Sequence, residues 1–167
     1  NNSQIARRKN QFLPRLVISI IIIVTVFLLV FFVSRKIIKN INSVPSISKV
    51  YEEWNSGNYE NVINLTNKIL EKKPYNSTAL AYKGYATFSV AISHSELDYA
   101  LEYIDISINS LRLALESAPE TLLPQINYML GKAYFHKNSL SAYYYYADSA
   151  VYYLNEALSL GFSAPDI

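Results

Sequence analysis

Cysteine is absent from this chain of 167 residues, which excludes disulfide bonds, zinc–thiolate sites and cysteine nucleophiles. Glycine occurs only four times, and no two glycines stand close enough to form a loop that binds phosphate groups. The two histidines, His94 and His136, are far apart in the sequence and are most simply polar surface residues. We therefore expect no catalytic, cofactor-binding or metal-binding residue, no cofactor and no enzymatic activity.

Acidic residues are missing from the first part of the chain. Residues 1–15 carry four Lys and Arg and no acid, whereas all 13 Asp and Glu follow Asn40, together with only eight Lys and Arg. A region of net negative charge lacks the clustered cations that neutralise phosphates, so nucleic acid is not expected as a partner. Asp98, Glu102 and Asp105 recur at helical spacing, which indicates a solvated acidic face.

A single hydrophobic run follows the basic tail of residues 1–15. Residues 16–33 are 18 positions without a charge, which as a helix span about 27 Å, close to the roughly 30 Å hydrocarbon core of a bilayer. A cleaved signal peptide is the alternative, but its apolar core is usually ~7–15 residues long, and Arg35 and Lys36 follow here in place of a cleavage site. We predict a retained transmembrane helix at 16–33, in contact with lipid, and a connector at 34–45.

The remaining part, residues 46–167, has apolar residues at helical spacing and no segment typical of a strand. Gly57 and Pro74 bracket a predicted helix at about 59–72. Its apolar stripe consists of Val62, Leu65, Thr66, Ile69 and Leu70. Similar units recur along the chain, and we place three repeats at about 46–76, 77–119 and 120–162.

Small residues recur at matching points of the second and third repeats. Gly84 and Gly131 lie 47 residues apart in the first helices, and at Gly84 two helices are expected to approach closely. Ala114 and Ala157 lie 43 residues apart in the second helices. This pattern predicts that each repeat is a pair of helices packed against each other.

These units resemble the tetratricopeptide repeat (TPR). Leu130-Gly131-Lys132-Ala133-Tyr134 is similar to the Leu-Gly-x-x-Tyr core of that family, and Gly57-Asn58-Tyr59 to its turn. The resemblance implies an all-α fold in which the transmembrane helix precedes an α-solenoid of about three helical hairpins. Val62 and Ile69 stand where the family generally has alanine. A helical bundle unrelated to the family is the alternative.

The repeats are longer than the family's usual ~34 residues. Roughly ten residues are added in each of two places, near 92–106 and 139–145. We expect these residues to lengthen the helices and to widen the turns.

Repeats of this kind bind other proteins, since the first helices line a concave wall that need not support the core. We predict a groove for a helix or an extended peptide on that wall, with candidate residues Tyr51, Tyr82, Tyr85, Tyr128, Lys132 and His136. Trp54, Phe88 and Phe135 are expected in the core. A candidate lateral face contains Tyr145 and Tyr152, which point away from the stripe of Tyr143, Ala147, Ala150, Val151, Leu154 and Leu158. These tyrosines contact either an adjoining repeat or another protein.

The residue pattern of the tyrosine-rich segment at 145–161 resembles that of membrane-anchored TPR proteins of spirochaetes. Those proteins build the collar of the periplasmic flagellar motor. That resemblance implies a scaffold within a multi-subunit complex of a bacterial inner membrane. The slight excess of cations before the hydrophobic run favours a cytoplasmic N-terminus, with the helical domain in the periplasm. Two alternatives are a periplasmic assembly or quality-control factor for client polypeptides, and an anchored receptor that faces the cytosol.

Overall fold

The computed structural model of the protein describes residues 17–35, 44–141 and 145–164, and all regular structure in these ranges is α-helical. The predicted all-α fold class, with an apolar helix near the N-terminus, is thereby confirmed for the described residues. Two units are formed, one up to Ser43 and the other from Val44 onward. The helices are α1 Val17–Arg35, α2 Ile47–Asn55, α3 Tyr59–Lys72, α4 Ser77–Ser93, α5 Leu97–Leu115, α6 Leu123–Leu140 and α7 Ala147–Ser159.

Helix α1 is long and apolar enough to cross a bilayer, with 19 residues and a mean hydropathy of 3.2. Its Thr25 hydroxyl donates a hydrogen bond of 2.8 Å to the Ile21 carbonyl oxygen, which satisfies this polar group inside the helix. The helix continues two residues beyond the predicted end, to Arg35. The basic tail and residues 36–43 of the connector lie outside the described residues. Length and composition alone do not separate this helix from a signal sequence near the N-terminus.

The six helices of the second unit pack as successive pairs. Helix α2 contacts α3, α4 contacts α5, and α6 contacts α7. The second helix of one pair also contacts the first helix of the next, since α3 touches α4 and α5 touches α6. The first helices touch one another as well, α2 against α4 and α4 against α6.

Local sequence signals define several of the helix ends. The side-chain oxygens of Ser46 and Asn76 accept backbone N–H bonds of 3.3 and 2.8 Å at the starts of α2 and α4. Gly57 and Gly161 follow α2 and α7 with φ angles of +73° and +82°. The N–H after each glycine bonds to the carbonyl oxygen five residues earlier at 2.9 Å, which closes the helix.

The two remaining glycines lie where paired helices approach most closely. A Cβ atom on Gly84 would meet Leu111 Cδ2 of α5 at 2.7 Å, and one on Gly131 would meet Leu154 Cγ of α7 at 2.6 Å. Packed interiors leave no room for such an atom, so the expected close approach at Gly84 is confirmed. Because Leu154 follows Leu111 by 43 residues, the second and third pairs share one packing pattern.

The predicted apolar stripe of α3 is confirmed. Its members are buried, except Leu70, which is partly buried against both core clusters of the unit. The buried Thr66 hydroxyl donates a hydrogen bond of 2.8 Å to the Val62 carbonyl oxygen, one turn earlier in the same helix. Ala114 and Ala157 are also fully buried, as expected for positions that need a small side chain.

The extra residues of the later pairs lengthen helices, as expected. Helices α4, α5 and α6 have 17, 19 and 18 residues, against 9 and 14 for α2 and α3. The expectation of a wider turn is wrong for the second pair, since only residues 94–96 separate α4 from α5. The extra residues lie within the longer helices α4 and α5. There they extend the apolar contact between the two helices instead of forming an exposed loop.

Several expectations about which side chains are buried are wrong. Phe135 is 57% exposed although a core position was expected, whereas Phe88, 47 residues earlier, is buried and contacts His136 of the next helical pair. Val151 and Leu158 are exposed too, because α7 rests on α6 through the stripe that contains Ala150 and Ala157. Tyr143, from the same predicted stripe, lies outside the described residues.

Candidate protein-binding surfaces

Five aromatic rings from α2, α3 and α4 form one connected group, called here the first aromatic cluster. Its members are Tyr51, Trp54, Tyr59, Tyr82 and Tyr85. The Tyr82 ring lies at the centre, with centroids 4.9 Å from Tyr51, 5.8 Å from Trp54 and 5.5 Å from Tyr85. Trp54 also contacts Tyr59 at 5.2 Å. The cluster joins the first two helical pairs through aromatic edges and faces, which pack favourably at these separations.

The cluster is partly exposed, with Tyr85 as its one buried ring. Tyr51 is 40% exposed and Tyr82 is half-buried. Burial, and secondarily the proximity of Tyr51, raises the pKa of the Tyr82 phenol, so it remains a neutral hydrogen-bond donor. The structure thus gives Tyr51 and Tyr82 a shared aromatic surface that can receive an apolar side chain.

The placement of Tyr85 on an accessible wall is wrong. Its ring is 1% exposed and belongs to the core cluster with Phe88 and Leu111. The hydroxyl is buried without a hydrogen-bond partner, and burial strongly raises the pKa of this phenol. Helix periodicity placed Tyr82 and Tyr85 on one face, but the close contact of α4 with its neighbours covers the second of them.

The three candidates on α6 form a row along that helix. The Lys132 ammonium lies 5.4 Å from the Tyr128 ring centroid, and the Tyr128 ring stacks on Phe162 at 4.6 Å. His136 contacts Phe88 of α4 edge-to-face at 5.3 Å. Burial, and then the charge of Lys132, lowers the pKa of the imidazole. The row therefore offers one cation and a neutral histidine beside aromatic surface.

The two histidines share a recess that sequence reasoning missed. A cavity of about 190 Å³ lies where α4 turns into α5, and His94, Glu96 and His136 line it together with Ile92 and Leu97. The sequence did not indicate that the two histidines lie close together, because His136 belongs to α6 of the next helical pair. Among the described residues, no three His, Cys, Asp or Glu side chains are grouped to hold a metal ion.

Tyr152, one of the two lateral candidates, belongs to a second group of rings, Tyr134, Tyr152 and Tyr153, called here the lateral tyrosine group. Tyr134 and Tyr153 stack in parallel with centroids 5.6 Å apart, and Tyr152 contacts Tyr153 edge-to-face at 5.1 Å. Tyr145 and Tyr152 are 78% and 58% exposed. A shallow recess of about 450 Å³ beside them is lined by Arg112, Tyr134, Asp148, Ser149, Tyr152 and Tyr153.

The acidic face expected on α5 is not wholly solvated. Asp105 pairs with Lys137 of α6, and the Lys137 ammonium also lies 4.4 Å from the Tyr146 ring centroid. Burial lowers the pKa of Lys137, but its hydrogen bonds to Asp105 and Tyr146 outweigh that effect and raise it overall. Asp98 and Glu102 remain exposed. One member of the acidic row thus holds the next helical pair in place.

No protein-family model, no curated protein and no solved structure matches this chain. The relationship to tetratricopeptide repeats therefore stays a prediction.

Proposed function

We propose that this chain is a membrane-anchored, TPR-like scaffold that binds other proteins. The observation that carries the proposal is the exposed aromatic surface of the helical unit, at the edges of ring groups that pack against the core. Aromatic side chains provide large contact area at low cost in conformational entropy, and they dominate protein–protein interfaces. Tyr51, Tyr145 and Tyr152 are each at least 40% exposed.

The order of helix contacts supports a solenoid of three hairpins. In such a stack each second helix lies between two first helices, and the first helices form one wall. The contacts of α2 with α4 and of α4 with α6 fit that wall. Tyr51, Tyr82, Tyr128, Lys132 and His136 all lie on these three helices, where an apolar helix or an extended peptide could contact them.

Helix α1 supplies the membrane anchor of the proposal. An unbroken apolar helix followed by Arg35 and Lys36 suits a retained single span. We place the N-terminus in the cytoplasm and the helical unit in the periplasm of a bacterial inner membrane. By its resemblance to anchored TPR proteins of spirochaetes, the scaffold belongs to the collar of the periplasmic flagellar motor. No enzymatic role is part of this proposal.

Isolation of the native complex tests the binding role. The full chain, purified from membranes at its normal abundance, is expected to retain a partner in fixed stoichiometry. Tyr51→Ala combined with Tyr82→Ala should remove that partner, because both rings leave the first aromatic cluster. Tyr75→Ala is the matched control, since Tyr75 is an exposed tyrosine in the turn before α4. A variable mixture of clients would instead favour the quality-control role.

Protease accessibility tests the topology. Periplasmic placement predicts that the helical unit is digested once the outer membrane is permeabilised, while the inner membrane stays intact. Digestion only after the inner membrane is broken would favour the cytosol-facing receptor. Electron tomography of motors in cells that lack the gene then tests the collar itself, where loss of a defined density is expected.

A further inference from the structure

The recess that His94 and His136 share, called here the histidine recess, has an apolar floor. Ala91, Ala100 and Ile104 line it and are each at most 4% exposed. Its volume of about 190 Å³ is below the roughly 300–1,000 Å³ of pockets that hold small-molecule ligands. The recess is therefore the right size for a single large side chain, not for a whole small molecule.

Three aliphatic side chains on the rim of the recess are exposed. Ile92, Leu97 and Leu140 line it and are 54%, 49% and 36% exposed. They belong to the last turn of α4, the first residue of α5 and the last residue of α6. Apolar side chains grouped around a recess are typical of an interaction site, because a partner that covers them removes apolar surface from water.

The stacking of helical pairs does not cover this recess. It lies between the second pair and α6, and a further pair would extend the stack on the side of α6 away from α4, since α2, α4 and α6 touch in that order. The chain leaves α7 at the opposite end of α6, where Phe162 stacks on Tyr128. Leu140 follows Tyr128 by 12 residues, which is about 18 Å along a helix.

His94 connects the recess to two stacked rings, Tyr99 and Tyr103, called here the tyrosine shelf. The Tyr99 ring centroid lies 4.3 Å from that of His94 and 4.4 Å from that of Tyr103. Both tyrosines are half-buried. The pKa of the Tyr99 phenol is raised to about 12, first by its hydrogen bond with Tyr103, and the charges of Glu60 and Glu102 contribute. The shelf therefore lies beside carboxylates, and a guanidinium group stacks favourably on such rings.

The acidic side chains around the recess and the shelf leave negative charge to be matched. Glu96 lines the recess, and Asp98 and Glu102 are exposed on α5. Of the acids on α5, Asp105 alone forms an ion pair with a described residue. A partner that brings a cation is complementary to this surface. A second copy is not, because residues 40–167 contain 13 Asp and Glu and only eight Lys and Arg.

We propose that the histidine recess and the tyrosine shelf together bind a segment of another protein that carries an apolar side chain close to an arginine. The apolar side chain fills the recess, and the guanidinium group lies on the shelf beside Glu102. This rests on the proposed protein-binding function but uses a surface distinct from the first aromatic cluster.

A library of random peptides displayed on phage provides the probe. The library is selected on the full chain in nanodiscs, so that no detergent competes for the apolar recess. Peptides in which an aliphatic or aromatic residue lies close to an arginine are expected to be enriched. Enrichment of no such pattern would overturn the proposal.

Substitutions on the rim test the apolar half of the site. Ile92→Ser with Leu97→Ser should weaken binding of a selected peptide about tenfold or more, because two apolar contacts are lost. Leu113→Ser is the matched control, since Leu113 is an exposed leucine elsewhere on α5, and it should bind the peptide normally. Equal urea midpoints of the variants show that the fold is intact. Equal binding by the variants would overturn the proposal.

A charge exchange tests the arginine half of the site. Glu102→Arg should weaken binding of the selected peptide, and a peptide with glutamate in place of its arginine should bind that variant better than it binds the unaltered chain. Rescue of this kind requires a charge pair across the interface. Glu116→Arg is the control, because Glu116 is exposed at the other end of α5. Absence of rescue would overturn the proposal.

Photo-cross-linking from position 97 in native membranes identifies the occupant. An adduct to a segment of another protein that contains an arginine supports the proposal. An adduct to lipid, to the same chain, to a second copy or to a segment without arginine overturns it. Retention of a partner at the first aromatic cluster, with no adduct at position 97, would leave the proposed function standing and remove only this inference.

Discussion

The Ser107 hydroxyl donates a hydrogen bond of 2.8 Å to the Gly84 carbonyl oxygen, and so joins α5 to α4 where the two helices lie closest. The bond connects residues that are 23 positions apart in the chain. It is possible because Gly84 has no side chain to separate the backbones, while Ser107 is small enough to be fully buried between them.

Removal of the Ser107 hydroxyl should destabilise the helical unit. Ser107→Ala loses one buried hydrogen bond, so we expect the free energy of unfolding to fall by about 1 kcal/mol. Urea denaturation of the full chain in detergent, followed by circular dichroism, measures the change. The matched control is Ser139→Ala, whose hydroxyl bonds only to its own helix at the surface. Equal effects of the two substitutions would show that the contact between helices contributes nothing.

A methyl group at Gly84 should be more harmful than its helix propensity suggests. Alanine favours a helix over glycine by about 1 kcal/mol, but its Cβ would overlap the Leu111 side chain and lie 3.2 Å from the Ser107 carbonyl oxygen. We expect Gly84→Ala to destabilise the unit by about 1–3 kcal/mol, measured by the same denaturation.

Leu111→Ala supplies the control for that clash. If Leu111 causes the overlap, the double variant should lose less stability than the sum of the two single variants. Simple additivity would mean that the backbone of α5, and not the Leu111 side chain, resists the added methyl group.

Replacement of Gly57 tests its backbone conformation alone. No atom lies within 4 Å of a Cβ placed there, and φ is +73°. Gly57→Ala is therefore expected to cost about 1–2 kcal/mol of stability through the left-handed conformation, and Gly57→Asn should cost less because asparagine tolerates that region. Thermal denaturation of the three chains gives the order, and an asparagine variant less stable than the alanine variant would contradict this account.

Acid should weaken the packing around His136. Its pKa is lowered by burial and by Lys132, so below its unfolded pKa of about 6.5 the unfolded chain binds the proton more readily. Stability from neutral His136 is complete above that pH and is lost as the pH falls toward the folded pKa. The urea midpoint should drop between about pH 7.5 and pH 5.5. The drop should shrink in His136→Gln and persist in His94→Gln.

Much of the fold follows from signals that lie close together in the sequence. The apolar stripe of α3, its length, the turn at Gly57 and the hydrophobic run of α1 depend on spacings of a few residues, and the structure has them where these spacings predict. Repetition extended this reach, since Gly84 and Gly131 recur at matching points of the first helices, and in the structure both lie against a leucine of the paired helix.

Prediction was weaker for the surfaces that could bind a partner. Tyr85 was predicted at the surface and is buried, whereas Phe135 was predicted in the core and is exposed. The recess that His94 and His136 share was not predicted. In each case the deciding contacts are with another helix. Trp54 of α2 packs on Tyr85, and His136 of α6 lies in one recess with His94. Phe135 stays 57% exposed. The spacing of apolar residues shows which side of a helix is more apolar, but it does not show which side another helix covers.

By itself, therefore, the amino-acid sequence determined that the chain is helical, where α1 and α3 lie, and that an apolar run precedes an acidic, repetitive part. The tertiary structure decided which aromatic rings are core and which are surface, and that Val151 and Leu158 of α7 are exposed while Ala150 and Ala157 are buried. The physical reason is range: helix formation depends on hydrogen bonds and side chains within about four residues, whereas burial depends on contacts between segments that are far apart along the chain.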